Sequence, residues 1–300
     1  MSVYGVSFSI KQCRNFKIDP EKCLDWLIED CGIRRFRLMS YWNEIERAQG
    51  KFDFSELDRQ IDRIKKANGN ISLCLGARQP RWPENHWPDW AWNLLKVERT
   101  KVLMQFIEII IIRYNHFDVI VSYQLENEAL LEDFGERPEV DRERLRQEFE
   151  LVKRLDPDKP IIMTTSTSWG IPIRRPIPDI VGFSYYQKHF SHKKNLYKTS
   201  FHKPWLHKSR ANLIKLLWQR PSFIHELQLE PWGPKAIWEM PFDEQMKSMN
   251  PEQIRQNLRL ARKTGLTPID LWGGEWWYWC KLQGYTEIPK KVIREVKNKS

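Results

Sequence analysis

The sequence predicts an α/β protein with a single domain, a (β/α)8 TIM barrel, and three observations support this prediction. Short runs of β-branched and aromatic residues alternate with amphipathic helical stretches along the chain, as parallel strands joined by crossover helices do. Eight strands can be placed in this way. The length of 300 residues suits one barrel of about 250 residues with loop insertions, and no flexible linker or internal repeat divides the chain.

The first half of the chain supplies four strands and the helices between them. The first helix starts at Asp19 and Pro20, because an N-cap residue followed by proline is a typical helix start. The second helix starts near Ser55, which together with Asp58 resembles a capping box. The predicted strands cover 3–9, 34–39, 71–76 and 118–126, and the helix before the fourth strand covers about 97–114.

The second half supplies the other four strands, and its helices have equally clear boundaries. Asn250 and Pro251 mark the start of a helix that ends at Gly265, again as N-cap, first helical position and C-terminal glycine. The predicted strands cover 161–165, 180–184, 223–226 and 269–272, with helices near 139–155 and 289–297.

Between the sixth and seventh predicted strands lies a basic stretch, residues 187–220, with nine Lys or Arg, four His and no acidic residue. The formal net charge of the chain is +10, which favours contact with anionic partners but also keeps a protein soluble. The stretch is either a solvated face, a subsite for an anionic glycan, or a surface for nucleic acid or acidic lipid.

Composition argues against several other classes of protein. The longest apolar run, 106–112, contains Glu108 and is far too short to span a membrane. No secretion signal is visible, so we expect a cytoplasmic protein, or a secreted one if a leader has been removed. Five cysteines without CxxC spacing indicate reduced thiols rather than a disulfide framework. No phosphate loop or dinucleotide fingerprint occurs, and Leu229 rules out the zinc-binding HExxH spacing at His225.

Two carboxylates stand at predicted strand ends. Glu128 follows the fourth strand and Glu226 closes the seventh, and the carboxyl ends of barrel strands meet at one mouth. Hydrolysis of a glycosidic bond needs a proton donor for the leaving oxygen and a second carboxylate at the anomeric carbon. The pair therefore predicts a glycosidase site.

The residues around this pair resemble a known family. Gln124-x-Glu126-Asn127-Glu128 after the fourth strand and Glu226 on the seventh are similar to glycoside hydrolase clan A, the retaining (β/α)8 glycosidases. The motif is most similar to that of the β-galactosidase and cellulase-type members. This resemblance implies that Glu128 is the general acid/base and that Glu226 is the nucleophile.

The resemblance also implies roles in substrate binding. Arg37 would hold Glu226, Asn127 would bind the sugar 2-hydroxyl, Tyr186 or its neighbour Tyr185 would bond to the nucleophile, and Trp272 would form the platform under the sugar. Trp82 belongs to an aromatic and Pro-rich loop, 78–90, that is either a sugar-binding wall or a lid. Glu275 and Glu230 are further carboxylates that could bind the substrate or replace one of the catalytic pair. No histidine matches the one that several of these families place before the tyrosine.

The sequence thus predicts a retaining β-glycoside hydrolase that cleaves β-linked oligo- or polysaccharides by double displacement. We expect one catalytic barrel over residues 1–300 with a basic insertion at about 187–220. No metal or organic cofactor is expected, and the expected partner is a carbohydrate, with an anionic glycan as a further partner and no obligate nucleic acid. Two alternatives are a barrel that binds glycans or polyanions without cleaving them and a transglycosylase.

Overall fold

Eight parallel strands close into a barrel in the computed structural model, which describes residues 4–132, 134–136, 139–167, 170–171 and 174–297. The strands follow one another around the barrel in chain order, and the last pairs with the first. They are β1 (Tyr4–Phe8), β2 (Arg35–Met39), β3 (Asn70–Leu75), β4 (Ile120–Leu125), β5 (Ile161–Thr165), β6 (Ile180–Tyr185), β9 (Ser222–Gln228) and β10 (Ile269–Trp272). The two remaining strands, β7 (Lys188–Ser191) and β8 (Leu196–Thr199), form a separate antiparallel hairpin. The predicted barrel is confirmed.

Helices surround the barrel and connect its strands. Asp19 caps its helix as predicted, because its side chain accepts a hydrogen bond from the amide of Glu21 at 2.9 Å. The predicted capping box at Ser55 is wrong, since Asp53 instead accepts from the Ser55 amide at 3.0 Å. The helices are α1 (Ile10–Asn15), α2 (Pro20–Glu29), α3 (Trp42–Ile45), α4 (Ser55–Lys66), α5 (Asp89–Trp92), α6 (Lys96–Tyr114), α7 (Arg142–Leu155), α8 (Pro204–Trp218), α9 (Phe242–Ser248), α10 (Pro251–Lys263), α11 (Gly274–Leu282) and α12 (Glu287–Lys297).

The hydrophobic core lies between the outer faces of the strands and the helices. On α6, Phe106, Ile107 and Ile110 recur at helical spacing and are almost fully buried. Each such side chain stabilises the fold by about 1.5–3 kcal/mol relative to an exposed position. The predicted strand bounds agree with the structure to within two residues, the largest differences being at the start of β4 and the end of β9, and Val3 lies outside the described residues.

The basic stretch 187–220 contains two different kinds of structure. Its second part is α8, which packs Ala211 and Ile214 onto Val181 and Phe183 of β6 and is the crossover helix between the sixth and seventh barrel strands. Its first part is the hairpin of β7 and β8, which is added after the carboxyl end of β6. The hairpin therefore lies at the end of the barrel where α/β barrels place their active sites.

All five cysteines are buried and free. Among the helices that the described residues form, none is long and apolar enough to cross a membrane. Within the same described ranges, no group of three or more His, Cys, Asp or Glu side chains is arranged to hold a metal ion.

Candidate active site

The residues predicted for the site come together at one mouth of the barrel. Tyr186 directly follows β6, Trp272 is the last residue of β10, and Glu128 lies three residues after β4. Arg37 lies within β2 and Glu226 within β9, and both are almost fully buried. The carboxyl ends of five strands thus supply the side chains, as expected for a barrel.

Glu226 accepts hydrogen bonds on both of its carboxylate oxygens. The Arg37 Nη2 donates to Oε1 at 2.6 Å, and the Tyr186 hydroxyl donates to Oε2 at 3.1 Å. A charged donor and a phenol are strong partners for a carboxylate. The neighbouring Tyr185 instead donates to the carbonyl of His202 at 3.4 Å, so Tyr186 is the tyrosine in contact with Glu226.

Arg37 connects this carboxylate to the interior of the barrel. Its Nε donates to Ser7 Oγ at 2.8 Å, and its Nη1 lies 3.1 Å from Gln124 Oε1 and 2.7 Å from His225 Nδ1. Burial alone would lower the pKa of the guanidinium, but the Glu226 carboxylate more than offsets this and leaves the pKa raised. Arg37 is therefore a fixed cation beneath Glu226.

Glu128 is half-buried and is held from two neighbouring strands. Its amide donates to Thr164 Oγ1 at 2.8 Å, and Ser184 Oγ donates to its Oε1 at 2.5 Å. Loss of hydration raises its pKa to about 7, the charge of Glu226 adds to this rise, and the Ser184 hydrogen bond partly offsets it. Glu128 therefore holds a proton at mildly acidic pH, beside a second carboxyl group.

Asn127 contacts a third carboxyl group that the sequence did not single out. Its Nδ2 donates to Glu84 Oε2 at 2.9 Å, and its Oδ1 accepts from Gln124 Nε2 at 3.3 Å. Glu84 is 4% exposed, and burial raises its pKa to about 8. The Asn127 hydrogen bond partly offsets this rise, and the charges of Glu226 and Glu128 add to it. The only sequence signal for Glu84 is its place in the long loop 78–90.

Arg81, from the same loop, lies against Trp272 and bridges two buried carboxylates. Its guanidinium lies 3.9 Å from the centre of the Trp272 ring. It forms ion pairs with Glu230, at short range, and with Glu275 at 2.7 Å. Glu275 also accepts from the amide of Ser9 at 2.5 Å. Both Glu275 oxygens are thus engaged by the protein, and its role in substrate binding stays a prediction.

A series of aromatic rings leads from Tyr186 to the surface. The ring of Trp232 lies 5.3 Å from Tyr186 and 6.1 Å from Phe134, and Phe134 lies 6.3 Å from Trp82. The side chain of Trp82 is 54% exposed. Flat rings at a rim offer apolar faces to a ligand, and the role of Trp82 in a sugar-binding wall stays a prediction.

The two loops that carry these residues have unusual backbone conformations. Arg81, Glu84, Glu126 and Glu128 all have positive φ, between 41° and 87°, a region that non-glycine residues rarely adopt. Such conformations cost about 1–3 kcal/mol each and concentrate at functional sites. Gly76 leaves room for the Glu126 side chain, because a Cβ there would lie 2.6 Å from Glu126 Oε1, the oxygen that accepts from the Ala77 amide.

Comparisons with known proteins show what this chain is similar to. Residues 27–156 match the family model Glyco_hydro_42, described as Beta-galactosidase, and no curated protein matches the chain in sequence. A β-galactosidase from Bacillus circulans sp. alkalophilus superposes with a TM-score of 0.61 and 13% identity, covering 99% of this chain and 55% of that chain. A β-galactosidase from Halorubrum lacusprofundi superposes with a TM-score of 0.58 and 14% identity, covering 90% of this chain and 52% of that chain.

A third similar structure has a different specificity. An exo-β-1,4-mannosidase from Opitutaceae bacterium strain TAV5 gives a TM-score of 0.55 and 13% identity, covering 91% of this chain and 51% of that chain. The chain thus spans about half the length of these structures. Its barrel has the fold of the clan A glycoside hydrolases, and the predicted resemblance to that clan is confirmed by fold over most of the chain and by sequence over residues 27–156.

Proposed function

We propose that this protein is a retaining β-glycoside hydrolase, with Glu226 as nucleophile and Glu128 as general acid/base. The observation that carries this proposal is the different surroundings of the two carboxyl groups. Glu226 accepts from Arg37 and Tyr186 on both oxygens, whereas burial and the charge of Glu226 raise the pKa of Glu128 to about 7. One carboxylate and one proton donor are what the first step of glycoside cleavage requires.

The reaction would proceed in two displacements. Glu226 would attack the anomeric carbon while the bond to the leaving oxygen breaks, and Glu128 would transfer its proton to that oxygen. Glu128, now a carboxylate, would then take a proton from water as the water attacks the glycosyl ester and releases Glu226. The sugar would leave with its original configuration.

The neighbouring side chains support a glycoside as substrate. Tyr186 and Arg37 orient the nucleophile, while Asn127 and Glu84 present an amide and a carboxyl group beside the catalytic pair. The aromatic series ending at Trp82 would extend the contact beyond the cleaved bond. A β-linked sugar chain is the substrate class that fits these groups.

The surface around the mouth favours an anionic variety of this substrate class. The β7–β8 hairpin lies beside Trp232, since His189 is 5.7 Å from that ring and the Phe190 amide donates to the Trp232 carbonyl at 3.0 Å. The hairpin exposes Lys193 and Lys194 at its turn. A positive rim raises the local concentration of a negatively charged ligand, so we include anionic glycans among the expected substrates.

Substitution of the nucleophile tests the mechanism. The Glu226→Ala variant should lose hydrolysis of aryl β-glycosides by several orders of magnitude, because the glycosyl ester cannot form. Added azide should restore reaction and give a glycosyl azide of inverted configuration, which NMR of the product identifies. A Glu226→Ala enzyme with wild-type rates would contradict the proposal.

Substitution of the acid/base gives a different signature. The Glu128→Ala variant should keep its first step for aryl glycosides with good leaving groups, since these need no protonation, and should accumulate the glycosyl-enzyme. A burst of released phenol followed by slow turnover is the expected time course. Equal losses for good and poor leaving groups would show that Glu128 is not the acid.

A further inference from the structure

His225 and Ser184 form a hydrogen-bonded chain between the two catalytic carboxyl groups. Arg37 Nη2 lies 2.6 Å from Glu226 Oε1, and its Nη1 lies 2.7 Å from His225 Nδ1. The other ring nitrogen, His225 Nε2, lies 3.2 Å from Ser184 Oγ. Ser184 Oγ in turn lies 2.5 Å from Glu128 Oε1. Four contacts thus join Glu226 to Glu128 through the barrel interior.

Arg37 determines which nitrogen of the His225 ring carries the hydrogen. Arginine has donors and no acceptor, so His225 Nδ1 must accept from Arg37, and the hydrogen of the neutral ring must be on Nε2. Nε2 faces Ser184 Oγ, and the carbonyl of Thr165 is a second acceptor beside the ring. Burial and the charge of Arg37 lower the pKa of His225 well below its usual value, which keeps the ring neutral. The Ser184 hydroxyl is then directed to Glu128.

The backbone is built to place His225 in this position. Ile224 pairs with Phe183 and Glu226 pairs with Ser184, so His225 is an extra residue in β9, a β-bulge. Neighbouring side chains of a regular strand point to opposite faces, and a bulge re-aims one of them. Gly182 leaves the required space, because a Cβ there would lie 2.9 Å from the His225 side chain.

We propose that His225 and Ser184 are positioning residues that act on the general acid/base, and this rests on the proposed function of Glu128. Ser184 donates to Oε1 of Glu128, so the transferable proton is carried by Oε2. The same hydrogen bond stabilises the carboxylate that must activate water in the second step. His225 fixes the direction of the Ser184 hydroxyl and links it to the arginine that holds the nucleophile.

Other charged groups also act on Glu128 and are left in place by the test. The charges of Glu226 and Glu84 oppose its ionisation, while Arg78, Arg37 and Arg210 favour it. Because Ser184 and His225 are both neutral, their substitution removes hydrogen bonds without changing the net charge of the site. A shift in the protonation of Glu128 can then be assigned to the chain itself.

The experiment follows Glu128 in two ways. A ¹³C NMR titration of the glutamate carboxyl groups, with the Glu128 signal assigned by its loss in Glu128→Gln, needs no substrate. The pH dependence of kcat/KM reports the same group through its alkaline limb. In Ser184→Ala the midpoint of the Glu128 NMR titration and the alkaline limb of kcat/KM should both move up by about one pH unit, because a hydrogen bond to the carboxylate is lost. Ser184→Thr, which keeps a hydroxyl, should restore the wild-type values.

Variants of His225 test whether it acts through Ser184. His225→Leu should move the Glu128 titration upwards by less than Ser184→Ala, and the double variant should move it no further than Ser184→Ala alone. His225→Gln, which can still accept from Arg37 and donate to Ser184, should be closer to wild type. The matched control is Ser72→Ala, which removes a buried barrel hydroxyl with no hydrogen-bond partner among the described residues and should leave the titration unchanged.

The outcomes separate the inference from the proposed function. An unshifted Glu128 titration in Ser184→Ala, or shifts that simply add in the double variant, would overturn the inference even if hydrolysis is observed. Shifts as expected in a protein without glycosidase activity would overturn the proposed function and leave the hydrogen-bonded chain intact. If His225→Leu does not fold, as thermal unfolding will show, His225→Gln decides the role of His225 and the two Ser184 variants decide that of Ser184.

Discussion

Glu84 illustrates how the site controls protonation one residue at a time. It is buried beside the carboxyl groups of Glu226 and Glu128, and its side chain accepts a hydrogen bond from Asn127 Nδ2 at 2.9 Å. Burial and these charges raise its pKa to about 8, far above the value of about 4.3 in an unfolded chain. The folded protein therefore holds a proton on Glu84 that the unfolded chain has lost at neutral pH.

This difference predicts how one substitution changes stability with pH. Between about pH 4.3 and 8 the folded state binds more protons than the unfolded state, so the contribution of Glu84 to stability falls as pH rises. Glu84→Gln, which can still accept from Asn127, should raise the Tm relative to wild type at about pH 8, and the difference should shrink towards pH 4. Thermal unfolding of both proteins between about pH 4 and 8 measures this Tm difference.

An exposed carboxyl group provides the control for this prediction. Glu108 lies on the solvent face of α6, and Glu108→Gln should give a Tm difference that hardly depends on pH. A Tm difference for Glu84→Gln that stays constant, or grows towards acid pH, would contradict the assigned direction of the Glu84 pKa.

Sequence patterns predicted some residues of the site and could not predict others. Glu128 and Glu226 lie close to the carboxyl ends of β4 and β9, where the polarity of the chain changes abruptly, so their position was visible. His225 was not, because regular alternation in a strand would place it on the face opposite Glu226, and only the bulge brings both to the site. The position of Glu84 depends on its positive φ of 71°, which cannot be predicted from the pattern of residue types.

At the scale of elements, one arginine ties together three loops of the mouth. Arg81 comes from the loop after β3, Glu230 follows β9, and Glu275 lies at the start of α11 after β10. All three side chains are at most 7% exposed. The position of the loop after β3, and hence of Glu84, depends on this buried ionic group.

Breaking the group should destabilise the protein strongly. Arg81→Met keeps most of the apolar stem but leaves two buried carboxylates without their cation, which should cost about 3–5 kcal/mol in the free energy of unfolding. Arg47→Met is the matched control, because Arg47 pairs with Glu44 while its side chain is 72% exposed. Its expected cost is about 0–1 kcal/mol. Denaturant unfolding compares the two, and similar values would refute the role of Arg81.

The elements themselves were predicted from periodicity and end signals, and the exceptions have physical causes. Barrel strands are buried on both faces and form continuous apolar runs, which made them visible. The β7–β8 hairpin was not predicted, since its strands are half-exposed, mostly polar and only four residues long. The start of α4 was correct but its cap was not, because the N-cap position is occupied by Phe54 and the Ser55 amide is bonded by Asp53.

At the scale of the whole molecule, the closed barrel has two ends, and the candidate site lies at only one of them. The carboxyl ends of the strands carry the candidate site and the basic hairpin, whereas helix α4 runs back and ends at Lys66, just before the start of β3. Lys65 and Lys66 are therefore at the opposite end from Lys193 and Lys194, although all four are exposed. Substitution of two lysines at either end therefore changes the charge of that end by the same amount and leaves the other end unchanged.

This arrangement predicts a location-dependent effect on an anionic ligand. Lys193→Glu/Lys194→Glu should weaken binding of a sulfated β-linked oligosaccharide about tenfold at about 0.05 M salt, because two positive charges on the hairpin turn become negative. The loss should largely disappear at about 0.5 M salt, where exposed charges are screened. Lys65→Glu/Lys66→Glu changes the net charge by the same amount at the other end and should have little effect, as should either variant on a neutral oligosaccharide. Titration calorimetry measures all four cases. Equal losses for both pairs would show that only the net charge of the molecule attracts the ligand and that the hairpin has no special role.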